Sequence, residues 1–185
     1  MISKHIYLNK ITKKNIFLFI FPFLFSAYGL SSSDFEAGFG SWTQSLEDDF
    51  NWSIGPPLWP HSSGTGPLSA ANGSHYAFIE SSSPNNPYKS AIINNSLNLS
   101  SLENQLLTFK YNMYGEDIGE LYFEVLNGEW VPLAAFIDQQ TQQNEWKTGI
   151  VDLSSFSGID NLQIRFRAVS GNGPKGDIAI DSVSL

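Results

Sequence analysis

The chain of 185 residues contains no cysteine. This absence excludes disulfides, thiol catalysis, thiolate zinc sites and iron–sulfur clusters. Basic residues are also few, because ten lysines and arginines stand against 18 aspartates and glutamates, and the formal net charge is −8. A surface of that sign would repel nucleic acid and anionic membranes. It favours cations, neutral polar ligands such as glycans, or basic partners; solubility outside the cell is the alternative explanation.

Residues 1–29 have the pattern of a secretory signal peptide. Four lysines lie among the first 14 residues, and an apolar run at 16–25, broken by Pro22, follows them. Ala27 and Gly29 supply small residues at the −3 and −1 positions of a cleavage site. A membrane anchor is the alternative, but a spanning helix needs about 20 apolar residues. We therefore expect cleavage after Gly29 and a secreted or surface-held protein, and the leader and lack of cysteine favour a bacterial source.

The remaining residues 30–185 form one domain in which apolar and polar residues alternate. The alternation is clearest over 107–113, 121–125 and 164–168, and a period of two is typical of β-strands with one buried face. Asn127-Gly128 is a strong signal for a hairpin turn. Further strands are predicted at 35–43, 75–81, 90–93, 130–137, 146–153 and 177–185. Many short strands at this spacing predict an all-β fold, an antiparallel sandwich or jelly roll.

Signals for catalysis are weak in this chain. Residues 171–176 match the G-x-G-x-x-G pattern, but no strand–loop–helix unit surrounds them, so we interpret them as a hairpin loop. No G-x-S-x-G, H-E-x-x-H or Walker pattern is present. Acid pairs such as Glu116 and Asp117 could serve a glycosidase, but pairs arise by chance among 18 acids. We predict that the domain is not an enzyme.

An ordered set of motifs resembles the MAM domain family across nearly all of residues 34–185. These motifs are Phe35-Glu36, Trp42-Thr43-Gln44, Asp49-Phe50-Asn51-Trp52, Gly64-Thr65-Gly66-Pro67, the run 73–80, the run 109–115, Gly119-Glu120-Leu121, Trp146 and the run 176–185. The resemblance implies a jelly-roll β-sandwich of two antiparallel sheets. It also implies an extracellular adhesion or recognition module without catalytic activity. Animal members carry disulfides, so this chain resembles a cysteine-free bacterial version.

A calcium ion is the first candidate ligand. The proposed ligands are Glu36, Asp48, Asp49 and Asp181, with Asp34 and Asp177 as second-line candidates. Carboxylates in apolar strand sequence are costly unless something neutralises them, and calcium takes six to eight oxygen ligands. The resemblance implies that the first and last strands are neighbours, which would bring these acids together around a structural ion. The alternative is that the acids cap turns, accept backbone N–H bonds or face solvent.

Aromatic side chains are the second candidate, because they offer contact area at low entropic cost. The strongest prediction is the 54–68 loop, where Trp59 and His61 would contact a ligand. Packing within the loop is the alternative. Other members of such a platform would be Trp52, Tyr76, Tyr88 and Trp130. Trp42, Trp52 and Trp146 stand at positions that resemble core positions of the family.

The sequence is compatible with three functions. The first is an exported, non-catalytic recognition or adhesion module that binds a protein or glycan at the cell surface, with a structural calcium ion. The second is a carbohydrate-binding module, since jelly rolls host many functions. The third is a self-association domain that forms a homo-oligomer in a surface or secreted assembly.

Overall fold

The structure is a computed structural model that describes residues 32–55 and 62–185. The predicted signal peptide and the predicted contact residues Trp59 and His61 lie outside these ranges. The described chain forms ten strands and one 3-10 turn at Ser154–Phe156. The strands are β1 (Thr43–Gln44), β2 (Ser53–Gly55), β3 (Tyr76–Ile79), β4 (Ser90–Leu97), β5 (Leu106–Met113), β6 (Glu120–Asn127), β7 (Glu129–Ile137), β8 (Lys147–Asp152), β9 (Leu162–Val169) and β10 (Ile178–Ser184).

The strands form two antiparallel sheets of five strands each. The first sheet has the order β1-β4-β9-β6-β7, and the second has the order β2-β3-β10-β5-β8. Consecutive strands often lie in different sheets, so the chain crosses repeatedly between the two layers. The predicted all-β jelly-roll sandwich is confirmed.

The core lies between the sheets and is rich in phenylalanine. The Phe109 ring lies 4.8 Å from that of Phe166 and 6.3 Å from that of Phe123, measured between ring centres. Gly149 pairs with Phe109 across β8 and β5, and a Cβ at Gly149 would collide with the phenyl ring. Alternation along each strand sends these rings inward, and their burial is the main source of stability.

The β6–β7 hairpin forms at the predicted place. Asn127 pairs with Glu129, and Gly128 between them has a φ of +76°. The strand predicted at 35–43 is wrong, because only Thr43 and Gln44 pair with β4. The preceding residues turn instead, with positive φ at Phe35, Gly38 and Gly40.

The first described residues nevertheless reach the last strand. Ser33 and Val183 form an isolated antiparallel bridge, with both N···O distances at 2.8 Å. The loop at 171–176 is not the predicted hairpin, because it connects β9 in the first sheet to β10 in the second.

The outer faces of the two sheets differ. On the second sheet, Tyr76, Phe78 and Ala179 form a buried cluster beneath Ala70 and Trp146. The loop before β3, which contains Ala70, therefore covers part of that face together with Trp146. On the first sheet, alternate residues of β6 and β7 remain exposed or half-exposed. These residues are Tyr122, Leu126, Trp130, Pro132, Ala135 and Ile137.

Candidate functional site

Glu36 lies at the turn formed by residues 73–75. Its Oε1 accepts hydrogen bonds from the backbone N–H of Ser74 and of His75, both at 2.7 Å, and its Oε2 accepts one from the Ser74 hydroxyl at 2.8 Å. The backbone N–H groups of Ser74 and His75 lower the pKa of Glu36 to about 2. The carboxylate is therefore already occupied by protein donors.

Asp181 holds the neighbouring part of the same loop. This side chain is 0% exposed. Its Oδ2 accepts from the backbone N–H of Ala71 and Asn72 at 2.9 and 3.0 Å, and its Oδ1 accepts from that of Ser182 at 2.6 Å. Burial raises the pKa of Asp181 above its usual value, although the backbone donors act in the opposite direction. Asp181 thus fixes the covering loop to β10.

Asp48 and Asp49 lie beside β4 in the other sheet. Asp48 Oδ2 accepts from the backbone N–H of Ile92 at 2.6 Å, and burial raises the pKa of this carboxyl group. Asp49 Oδ2 accepts from the N–H and the hydroxyl of Ser90 at 2.8 and 3.2 Å. These two acids therefore anchor the segment after β1 to the edge of β4.

The four predicted metal ligands thus fall into two pairs with different hydrogen-bond partners. Glu36 and Asp181 bind the 71–75 segment, whereas Asp48 and Asp49 bind β4. Within residues 32–55 and 62–185, no group of three or more His, Cys, Asp and Glu is placed to hold a metal ion. Every one of the four carboxylates accepts backbone N–H bonds, which is the alternative role given for them above. Calcium binding stays a prediction that only a solution measurement can test.

Ser74, His75 and Glu36 contain the residue types of a hydrolase triad. The Nδ1 of His75 lies 3.0 Å from Ser74 Oγ and 3.4 Å from Glu36 Oε2. In a triad, the serine and the acid contact opposite nitrogens of the histidine ring. Here both contact the same nitrogen, and the serine hydroxyl also donates directly to the acid. This arrangement stabilises the turn and cannot activate the serine in the manner of a triad.

The predicted aromatic platform separates into core and surface residues. Trp52 and Tyr76 are buried, and the indole N–H of Trp52 donates to the Ala91 carbonyl at 3.0 Å. Trp42 also belongs to the core, while Trp146 packs on Tyr76 outside the second sheet. Among the described members of the predicted platform, Tyr88 is 71% exposed and Trp130 is half-buried, so these two present aromatic surface to solvent.

Trp130 belongs to a cluster on the outer side of the first sheet, which we call the arginine–aromatic face. Its members are Trp130, Tyr122, Arg165, Arg167 and Glu124. Strand pairing sets Glu124 opposite Arg165 and Tyr122 opposite Arg167. The guanidinium carbons of Arg165 and Arg167 lie over the rings of Trp130 and Tyr122, each 4.1 Å from the ring centre. This is the geometry of a cation–π contact.

Glu124 holds both arginines in place. It is only 3% exposed although it points away from the core. Its Oε2 accepts from Arg165 Nε at 2.5 Å, and its Oε1 accepts from Arg167 Nη2 at 3.0 Å. Burial raises the pKa of Glu124, but hydrogen bonds and charge from Arg167 and Arg165 outweigh burial, and the net pKa lies below its usual value. The ionised carboxylate therefore fixes two guanidinium planes, and these fix two aromatic rings.

Beyond Tyr122, the face ends at a pocket of about 370 Å³. Glu120, Val169 and Ile137 belong to its lining, and the exposed Tyr88 lies at the same pocket. Glu120 Oε2 accepts the Tyr122 hydroxyl at 2.6 Å, which joins the pocket to the arginine–aromatic face.

Sequence reasoning named Trp130 but missed the rest of this face. Alternation did place Arg165, Arg167, Tyr122 and Glu124 on polar faces of their strands. It could not show that β6 lies next to β9, because the paired residues are 41 positions apart. The available signal was that the only two arginines of the chain share one face of one strand.

The family of the chain follows from its sequence match. The model of the MAM domain (meprin/A5/mu) matches residues 33–185. The chain belongs to the MAM domain family. The chain contains no cysteine, and its bacterial origin stays an expectation.

Curated relatives carry this domain within much longer proteins. MAM domain-containing glycosylphosphatidylinositol anchor protein 1 of Rattus norvegicus is 34% identical over 152 residues, which cover 78% of this chain and 16% of the relative. The Homo sapiens protein of the same name has the same identity and coverage. This MAM chain therefore spans about a sixth of the length of these relatives.

Solved structures share the fold at low identity. The K1 adhesin domain of Lys-gingipain from Porphyromonas gingivalis matches with a TM-score of 0.59 and 17% identity, over 83% of this chain and 95% of that one. The C-terminal family 22 carbohydrate-binding module of Clostridium thermocellum Xyn10B matches with a TM-score of 0.53 and 11% identity, over 85% and 94%. TmCBM61, solved with β-1,4-galactotriose, has a TM-score of 0.51 and 18% identity, over 82% and 92%.

Proposed function

We propose that this MAM domain is a non-catalytic recognition or adhesion module of an exported protein and that it binds a protein or glycan partner. Family membership supports a binding role. Domains of the same fold include a bacterial adhesin domain and a module solved with an oligosaccharide. Because these structures are under 25% identical, they support the fold alone, and the partner class rests on the surface of this chain.

Export to the cell surface or the medium is part of the proposal. The leader at 1–29 has the pattern of a signal peptide, and the curated relatives are named as glycosylphosphatidylinositol anchor proteins. Within residues 32–55 and 62–185, no helix has the length and apolar character needed to cross a membrane.

The observation that carries the binding role is the arginine–aromatic face. Guanidinium groups cover one side of Trp130 and of Tyr122, and Glu124 fixes those groups. Rings held in this way lose little conformational entropy when a partner binds. Tryptophan, tyrosine and arginine are also the residue types enriched at binding hot spots. The 54–68 loop, with Trp59 and His61, is the second candidate surface and comes from the sequence alone.

The test is a binding screen of the purified protein against glycan and cell-surface protein arrays. The variants are Trp130→Ala, Trp59→Ala and, as a matched control on the other sheet, Ile150→Ala at a residue that is 63% exposed. We expect wild type and Ile150→Ala to bind the same partner and Trp130→Ala to lose it. An absence of any partner, or turnover of a glycan by the wild type, would contradict the proposed function. Concentration-dependent self-association without a ligand would favour an assembly domain.

A structural calcium ion is a separate proposal that rests on the acids at the two ends of the chain. It does not depend on the arginine–aromatic face.

A further inference from the structure

The charges of the arginine–aromatic face and the adjoining Glu120 cancel, whereas the pocket beyond Glu120 is also lined by Glu116, Asp117 and Asp138. Arg165 and Arg167 are the only arginines of the chain, and Glu124 and Glu120 supply two carboxylates on the same side of β6. The chain as a whole has a net charge of −8. The negative charge of the chain would repel an anionic ligand, and the two guanidinium groups would repel a cation at this face. A neutral ligand meets neither barrier.

The polar groups of the face suit hydroxyls. Each guanidinium has five N–H donors, and the bonds to Glu124 use only Nε of Arg165 and Nε and Nη2 of Arg167. The Tyr122 hydroxyl is a further hydrogen-bond partner of Arg167, and the side chains of Arg165 and Arg167 keep 16% and 25% exposure. The remaining donors therefore point to a ligand rich in acceptors, and a hydroxyl can also donate to a carboxylate.

The spacing of the two rings points to a chain-like ligand. Trp130 pairs with Leu126, and Tyr122 lies four residues away along β6. At about 3.3 Å per residue, the backbone of Tyr122 is roughly 13 Å along the strand from that of Leu126, the residue opposite Trp130. The row then continues through Glu120 into the pocket of about 370 Å³ beside Tyr88. A compact ligand would contact one ring, whereas an extended chain would contact both.

We propose that the arginine–aromatic face binds a neutral polysaccharide, with its chain parallel to β6 and sugar rings against Trp130 and Tyr122. This inference rests on the proposed binding function and names the ligand class and the site. The aromatic rings supply apolar contact to the C–H faces of the sugars. The free guanidinium donors and Glu120 bind hydroxyls between and beyond the rings.

The experiment is calorimetric titration with neutral β-1,4-linked oligosaccharides, from a disaccharide to a hexasaccharide. We expect affinity to rise with length until the chain spans both rings. Trp130→Ala and Tyr122→Ala should each weaken binding of the hexasaccharide by about tenfold or more. Trp130→Phe should retain most of the affinity, and Ile150→Ala should retain all of it. Thermal melts identify any variant that fails to fold, and if Trp130→Ala fails to fold, the loss of affinity in Tyr122→Ala is the test.

Several results would overturn the inference and leave the proposed function standing. Binding only to polygalacturonate, to acidic peptides or to a second copy of the chain would show that the ligand class is wrong. Oligosaccharide binding that is lost in Trp59→Ala but unchanged in Trp130→Ala and Tyr122→Ala would show that the site is wrong. Failure of the arrays to yield any partner would instead contradict the proposed function itself.

Discussion

The guanidinium carbon of Arg165 lies 4.1 Å from the centre of the Trp130 ring. Arg165 belongs to β9 and Trp130 to β7, so the contact crosses β6, which lies between them. Glu124 on β6 binds the same guanidinium group. Three strands therefore determine the orientation of one half-buried tryptophan, and this rigidity distinguishes the arginine–aromatic face from a surface with scattered aromatic residues.

Glu124→Gln should destabilise the domain, because it leaves two guanidinium groups close together without their shared carboxylate. We expect a loss of about 1–3 kcal/mol in the free energy of unfolding at neutral pH, less than for a fully buried pair since both arginines are partly exposed. Urea denaturation measures this loss. Glu120→Gln is the matched control, and its effect should be smaller. Equal losses in the two variants would show that Glu124 has no special role.

The effect of Glu124→Gln should also depend on pH. The arginines lower the pKa of Glu124 below its ordinary value of 4.5, so the carboxylate contributes stability that is fully present above that value. This contribution is lost as the pH falls through the lowered folded-state pKa. The difference in unfolding free energy between wild type and variant should therefore shrink from neutral to strongly acidic pH. Asp48 and Asp181 have raised pKa values, so their effect on stability changes with pH in the opposite direction. Both residues are present in wild type and variant, and their contributions cancel in the difference. A difference that is constant with pH would contradict the prediction.

Asp181→Ala should release the loop that covers the second sheet. The substitution leaves the backbone N–H groups of Ala71, Asn72 and Ser182 without their acceptor. We expect a loss of about 2–4 kcal/mol, together with faster proteolysis near residues 71–75. Asp152→Ala is the control, because Asp152 is exposed and receives one backbone bond, from Ser154. Unchanged proteolysis would show that other contacts hold the loop.

The calcium proposal predicts a change in melting temperature. A metal that binds only the folded state adds about 3–4 kcal/mol at 100 to 1,000 times its dissociation constant, which corresponds to several degrees in a domain of this size. Differential scanning calorimetry in calcium and in chelator measures the shift, and Asp49→Asn and Asp181→Asn should reduce it. Equal melting temperatures for the wild type in the two buffers would rule out a stabilising ion.

Local patterns predicted much of the fold. Alternation identified strands such as β5 and β9, and Asn127-Gly128 located the β6–β7 turn, because both signals depend on neighbouring residues. The strand prediction for 35–43 failed for a physical reason. Phe35 and Trp42 are buried as a strand would bury them, but they reach the core from turns with positive φ at Gly38 and Gly40.

The site depended on contacts that no local pattern contains. Asp181 is 110 residues from Ala71, and Arg165 is 41 residues from Glu124. Composition showed that acids were abundant and arginines rare. The N–H groups that donate hydrogen bonds to each carboxylate could be identified only from the folded structure. The acids expected to bind a cation accept backbone N–H groups in the structure, and calcium binding stays a prediction.

The most direct test of the arginine–aromatic face is NMR chemical-shift mapping of the protein with the tightest-binding partner from the array screen. We predict that the largest changes occur at the indole N–H of Trp130, at the Nε–H groups of Arg165 and Arg167, and at backbone amides of β6 and β9. Changes confined to residues 54–75, with Trp130 and both arginines unaffected, would contradict the assignment of this face as the binding surface.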